Sequence, residues 1–180
     1  MKNILILLAM VIGMVTEDTE AVDITKLNQE DLLYIDLEAG RIVILTMPQV
    51  APNHVNRVKE LARQGFYDGT VFHRVIPGFM AQGGDPTATG TGGSGQNIDA
   101  EFSRVPHMRG TVSMARAEDE NSADSQFFIC FDRTPFLDNN YTAWGRVVSG
   151  MAVADQIAPG EPPRNPTKIV KMGVMADLTD

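Results

Sequence analysis

Residues 32–46 open on an alternation of apolar and polar positions. Leu33, Ile35 and Leu37 alternate with Tyr34, Asp36 and Glu38, the pattern of a strand with one face against a core. Ala39-Gly40 offers a turn and Arg41–Leu45 is a second β-rich run, so the stretch predicts a hairpin. The period then lengthens. Pro52 suits a first helical turn, Val55, Val58, Leu61 and Ala62 recur at helical spacing, and Gly65 supplies the stop. From Phe66 onward the runs are short, rich in Val, Phe and Ile, and broken by Gly, Pro, Asp and Asn. Turns are predicted at Tyr67-Asp68-Gly69 and Pro77-Gly78. Strands are predicted at Thr70–Val75, Phe102, Gly110–Ala115, Gln126–Phe131, Thr142–Val148 and Lys168–Val174. Met151–Ile157 reads as a short second helix that ends near Pro159-Gly160. Many short strands with turn residues between them point to a closed or a sandwich-like β architecture, and the pattern alone does not choose. No internal repeat is visible; the one low-complexity stretch is Thr87–Gly95, of which Gly90–Gly95 reads as a flexible turn.

The N-terminus departs from this pattern. Met1-Lys2-Asn3 precedes a 12-residue apolar run, Ile4 to Val15, which Glu17, Asp18 and Glu20 follow at once. A basic start and a run too short for a comfortable membrane span fit a secretory signal. Residues 1–21 are therefore predicted as a signal peptide, 22–31 as an N-terminal extension and 32–177 as a single domain. The expected location is the periplasm, or the cytoplasm if the leader is not a signal. A chain of 180 residues suits one domain with a sizeable core. A net charge of −8 argues against a nucleic-acid partner, which would require clustered Lys and Arg. Cys130 is the single cysteine, so an internal disulfide and a cysteine-based metal site are both excluded. It reads as a small buried hydrophobe.

Three segments carry the candidate chemistry: Phe72-His73-Arg74-Val75-Ile76-Pro77-Gly78-Phe79-Met80-Ala81-Gln82-Gly83-Gly84-Asp85, Ser125-Gln126-Phe127-Phe128-Ile129-Cys130, and Phe136-Leu137-Asp138-Asn139-Asn140-Tyr141. The first puts a fixed cation, an aromatic, a methionine and an amide before a glycine pair. Together the three resemble the cyclophilin family of peptidyl-prolyl cis–trans isomerases, over residues 33–172. The resemblance implies a closed eight-stranded antiparallel β-barrel with a helix over each open end, and no cofactor or metal. It implies Arg74 and Gln82 as catalytic residues, with Phe79, Met80, Phe128 and Leu137 as walls of a proline pocket. Gln126 is implied as a polar neighbour, and Ala115 and Arg116 as the stretch beside which a substrate backbone lies.

The departures from the well-known eukaryotic pattern have consequences of their own. Arg116 stands where many relatives have asparagine, and its side chain is expected to favour acidic substrates. Phe136 replaces a tryptophan and Tyr141 a histidine, both as in bacterial-type members. Without the indole N–H, binding of the macrocycle cyclosporin is expected to be weak. The acidic loop Ala117–Asp124 lies beside the expected cleft and reads either as a selector of the residue before proline or as a solvated charged loop. His73 is next to Arg74, but adjacent strand residues face opposite ways, so it is expected to be structural. Gly90–Gly95 lacks the Gly-Lys-Ser/Thr ending of a phosphate loop. The expected partners are proline-containing polypeptides and the expected state is a monomer without a membrane span. The rival to an isomerase is a non-catalytic module or chaperone that binds proline segments in the same groove; the presence of Arg74 favours catalysis.

Overall fold

The computed structural model describes residues 22–178; the predicted signal peptide lies outside them. Two single-turn 3-10 helices, Ile24–Lys26 and Gln29–Asp31, lead into β1 (Leu32–Leu37). β1 pairs antiparallel with β2 (Gly40–Thr46), from Leu32 opposite Leu45 to Leu37 opposite Gly40, so the alternating pattern does form the predicted hairpin.

Helix α1 (Pro52–Arg63) begins with proline as expected, but its N-cap residue, Ala51, has no side-chain acceptor. The acceptor comes from far along the chain. Glu101 takes the Asn53 N–H on Oε1 at 3.1 Å and the His54 N–H on Oε2 at 3.0 Å, and Oε2 also lies 2.7 Å from His54 Nδ1. A carboxylate at a helix N-terminus satisfies donors that have no partner within the helix and complements its dipole. Glu101→Ala is therefore expected to cost about 1–2 kcal/mol of stability, read as a lowered denaturation midpoint, with Glu101→Gln recovering part of the loss.

The remaining strands are β3 (Arg74–Ile76), β4 (Met80–Gly83), β5 (Thr111–Met114), β6 (Phe127–Cys130), β7 (Ala143–Ser149) and β8 (Lys171–Val174). A short helix, α2 (Met151–Ala154), precedes β8. All eight strands belong to one antiparallel sheet in the order β3-β4-β6-β5-β7-β2-β1-β8. The chain is mainly β with two helices, as expected. Phe102 is not in a strand: the Glu101 N–H donates to the Thr142 hydroxyl, and the Glu101 carboxylate is committed to α1, so the segment has no ladder to join. Met80–Gly83, read only as a motif, is a full strand between β3 and β6. The strand expected over Thr70–Val75 narrows to Arg74–Ile76, because Val71 instead forms isolated bridges to Asp85 and Lys168. The second helix stops at Ala154 rather than reaching Ile157.

The two faces of the central strands pack against different things. Val75, Ala81, Val112, Phe127 and Ile129 point into the main core with Ile35, Ile42, Ile44, Trp144 and the buried side of α1. Phe127 meets Tyr67, Phe72 and Trp144 edge-on, with ring centres 5.7–6.2 Å apart. On the opposite face Met80, Phe128 and Cys130 join Leu137 in a second, smaller cluster. That is why all four residues of β6 are buried, and it is the smaller cluster that supports the functional site.

Candidate active site

Strand register brings the site together. Arg74 on β3 lies opposite Gln82 on β4, Gln82 lies opposite Phe128 on β6, and Phe128 lies opposite Ser113 on β5. Opposed residues in antiparallel strands share a face, so a cation, an amide and an aromatic form one row across the sheet. Met80, two residues before Gln82, joins the same face. Beside the row is a cavity of about 150 Å³ lined by Arg74, Phe79, Met80, Gln82, Ala115, Arg116, Phe128, Leu137 and Tyr141. The structure thus gathers nine of the residues named from the sequence around one slot. Gln126 lies next door, in a cavity of about 310 Å³ that shares Gln82, Ala115 and Arg116 with the first. Phe136 stands on the rim, 65% exposed, its ring 5.5 Å from that of Phe79.

The apolar walls are held from behind. Phe128 stacks on the buried His107 at 6.2 Å between ring centres and meets Tyr141 edge-on at 5.8 Å. His107 spans between Asp138 Oδ1, 3.1 Å from its Nδ1, and Ser113 Oγ, 3.0 Å from its Nε2. Burial lowers the pKa of His107, which keeps the ring neutral behind the slot. Cys130 is fully buried, as expected, and burial pushes its thiol up to about 11.

The polar groups are held just as firmly. Gln82 Nε2 donates to Gln126 Oε1 at 2.9 Å, and Gln126 Nε2 donates in turn to the carbonyls of Gly90 (3.1 Å) and Gly92 (2.8 Å). The loop carrying those glycines is no slack turn. The Asp85 carboxylate, 1% exposed, accepts from the N–H groups of Thr87, Gly90 and Gly92 at 2.7, 2.6 and 3.1 Å and from the Thr87 hydroxyl at 2.8 Å. Further along, Asp124 holds the Ser94 hydroxyl and the Gly95 N–H. Asp124 is the member of the acidic loop that faces the larger cavity, along with Ala117 and Ser122.

Arg116 has a different task from the one expected. Its Nε and Nη2 donate to the Asn140 carbonyl, both at 3.1 Å, and its Nη1 donates to the carbonyls of Ala117 and Glu118 at 3.0 Å. The guanidinium also lies over the Tyr141 ring, 4.9 Å from its centre. A cation committed to four carbonyl contacts fastens the two loops that flank the slot, and the expected preference for acidic substrates loses its basis. Arg74 differs. Its side-chain partner is Glu161, whose Oε2 accepts from Nε at 2.7 Å. His73 is buried, with neither ring nitrogen hydrogen-bonded, and does not line the slot. Among the described residues no group of three His, Cys, Asp or Glu is placed to hold a metal ion.

Residues 32–174 match the family described as cyclophilin type peptidyl-prolyl cis-trans isomerase. The chain belongs to the cyclophilin family. A Brucella abortus relative named as a probable peptidyl-prolyl cis-trans isomerase is 45% identical over 167 residues, covering 83% of this chain and 85% of its own. The Bacillus subtilis peptidyl-prolyl cis-trans isomerase B is 44% identical over 131 residues, covering 71% and 91%. Among solved structures, a cyclophilin from Hirschia baltica superposes with a TM-score of 0.79 at 33% identity, covering 85% of this chain and 77% of its own. A Cryptosporidium parvum cyclophilin crystallised in the presence of the dipeptide Ala-Pro has a TM-score of 0.74 at 28% identity, covering 79% and 98%.

Four residues that matter to this cyclophilin's site went unread in the sequence: Asp85, Glu161 and the pair His107–Asp138. Asp85 closes the first motif and carries a local signal, because a carboxylate before Thr and two glycines is a common loop anchor. Glu161 carries none, being 87 positions from the arginine it meets.

Proposed function

We propose that this cyclophilin catalyses rotation about X-Pro peptide bonds, with Arg74 favouring the twisted amide and the 150 Å³ slot receiving the proline ring. The barrier to rotation is ~18–20 kcal/mol and arises from conjugation of the nitrogen lone pair with the carbonyl. Twisting frees that lone pair. A guanidinium donor aimed at the nitrogen bonds the twisted form more strongly than either planar form, so its binding lowers the barrier rather than merely capturing substrate. Guanidinium stays charged at any working pH. The carrying observation is that Arg74 and the apolar walls Phe79, Met80, Phe128 and Leu137 line one slot.

The other groups hold the flanking chain. Gln82 gives one amide N–H to Gln126, which leaves its side-chain oxygen to accept from substrate. Ala115 turns its N–H to Gln126, and among the described residues the N–H and carbonyl of Arg116, which face the other way, have no protein partner, so an extended peptide can pair there as an added strand. The larger cavity lies on the side of Gln126 and Asp124 and takes the residues that precede the proline. The Tyr141 hydroxyl supplies a further donor at the far wall.

The test is a protease-coupled assay on a short X-Pro peptide. A fast phase proportional to enzyme supports the isomerase. A rate no faster than the uncatalysed peptide would leave the groove as a binding module or chaperone surface for proline segments.

Phe136 sits at the rim without a hydrogen-bonding group, which supports weak cyclosporin binding. Phe136→Trp is expected to tighten it about three- to tenfold, the worth of one added neutral hydrogen bond, measured by inhibition of the isomerase. The sheet is proposed to close as a barrel through the segments beside its edge strands. Backbone bonds from Phe72 to Thr167 (3.0 Å) and from Ile169 to Thr70 (2.8 Å) support that reading. The apolar leader supports export to the periplasm.

A further inference from the structure

Arg74 projects from a three-residue strand at one end of the sheet order, and its side chain is 42% exposed. A long side chain at such a place has many rotamers, yet the proposed chemistry requires its terminal N–H groups to meet one nitrogen. We propose that Glu161 is a positioning residue for Arg74: it takes the Nε–H and so aims the terminal amino groups into the proline slot. The inference rests on the isomerase reading above.

Three observations support it. The contact is made by Nε, at 2.7 Å to Glu161 Oε2, and among the described residues no other carboxylate pairs with the terminal amino groups. Glu161 is also brought to this place by the backbone. Val75, next to Arg74, donates to the Gly160 carbonyl at 2.8 Å, and Gly160, next to Glu161, donates back to Val75 at 2.9 Å. A paired bridge one residue from each partner fixes where the two side chains start. Gly160 has φ +143°, and a Cβ there would come within 2.6 Å of Pro163 Cα, so the segment accepts no side chain at that point. Third, Arg74 lines the slot and Glu161 does not; the carboxylate holds the guanidinium from outside.

A merely structural ion pair would behave differently. Both partners are substantially exposed, Glu161 at 51%, and exposed pairs contribute little to stability. Losing Glu161 should therefore leave thermal unfolding unchanged. The effect should fall on turnover, because misaiming a catalytic group costs rate while the pocket still binds. The expected sign is a lowered kcat with a nearly constant KM.

The experiment compares Glu161→Ala and Glu161→Gln with wild type, using kcat, KM and the NMR resonance of the Arg74 Nε–H. Glu161→Ala should lower kcat about five- to twentyfold with KM within about twofold, and should collapse the resonance into that of a solvent-exposed arginine. Glu161→Gln keeps an acceptor oxygen on the same stem and should recover most of the loss. An alanine variant with wild-type kcat, or one that changes KM alone, would overturn the assignment while leaving the isomerase reading intact. If wild type itself shows no isomerisation, the isomerase reading falls, and the resonance still reports whether Glu161 holds the guanidinium.

Discussion

Arg74→Ala is expected to lower kcat/KM by about two to three orders of magnitude, the usual effect of removing one preorganised donor from a site of charge development. The loss should lie in kcat. The proline slot keeps its apolar walls, since Phe79, Met80, Phe128 and Leu137 are packed by the cluster that includes Cys130 and Ile76 and owe nothing to the guanidinium. Stability should be unaltered, because Arg74 is partly exposed and its ion pair with Glu161 faces solvent. Arg74→Lys should recover little: a lysine ammonium keeps the charge but has no Nε–H to give Glu161 and no planar fork to aim. The coupled assay with both variants, alongside circular dichroism, checks this. An alanine variant within about threefold of wild type would remove Arg74 from the catalytic machinery; the pocket walls would then have to account for the rate by strain on the bound proline alone.

The strands and the site were legible in the sequence to different depths, for physical reasons visible at particular residues. The hairpin and α1 were readable because their periods run for several residues and each ends on a turn or stop residue. Strand β4 was not readable as a strand. Met80-Ala81-Gln82-Gly83 is four residues long, carries a glycine and lacks β-branched side chains, so propensity argues against it; pairing on both sides overrides that. Phe102 fails in the opposite direction. An isolated aromatic resembles a strand residue, but its neighbour Glu101 is drawn to the helix terminus. The site residues were identified by resemblance rather than by period, and the register explains why they belong together: Arg74, Gln82, Phe128 and Ser113 are successive cross-strand neighbours. What stayed hidden were the partners that hold those residues. Arg116 is bound to carbonyls, which have no sequence identity, and Arg74 is bound to a glutamate on a distant loop.

The same distinction between a site residue and what holds it gives the largest expected effect on stability. Asp85 is nearly inaccessible, and burial alone would raise its pKa. Its bonds from the Thr87 hydroxyl and from the N–H groups of Thr87, Gly92 and Gly90 outweigh that and bring it down to about 2. Asp85→Ala leaves three backbone donors without their acceptor, but Thr87 and Gly90 are exposed and Gly92 half-buried, so water replaces part of what is lost and the full cost of a buried unsatisfied donor does not apply to each. A net loss of about 2–3 kcal/mol is therefore expected from the denaturation midpoint. Asp85→Asn, which keeps one oxygen but presents an NH₂ group to donors, should fall between.

Activity should fall with the loop as well. The carbonyls of Gly90 and Gly92 hold Gln126, and Gln126 holds Gln82, so releasing Asp85 lets the polar side of the slot drift. The acid dependence has a defined sign. A carboxylate whose folded pKa lies below its unfolded value of about 3.9 stabilises the fold fully above that value. That contribution disappears as pH falls from about 4 through about 2, where the folded group is itself protonated. Wild type should therefore lose stability steeply over that interval, while Asp85→Ala, already without the contribution, should show a shallower decline. Parallel acid profiles for the two proteins would mean that the bonds from Thr87, Gly90 and Gly92 do not carry the loop.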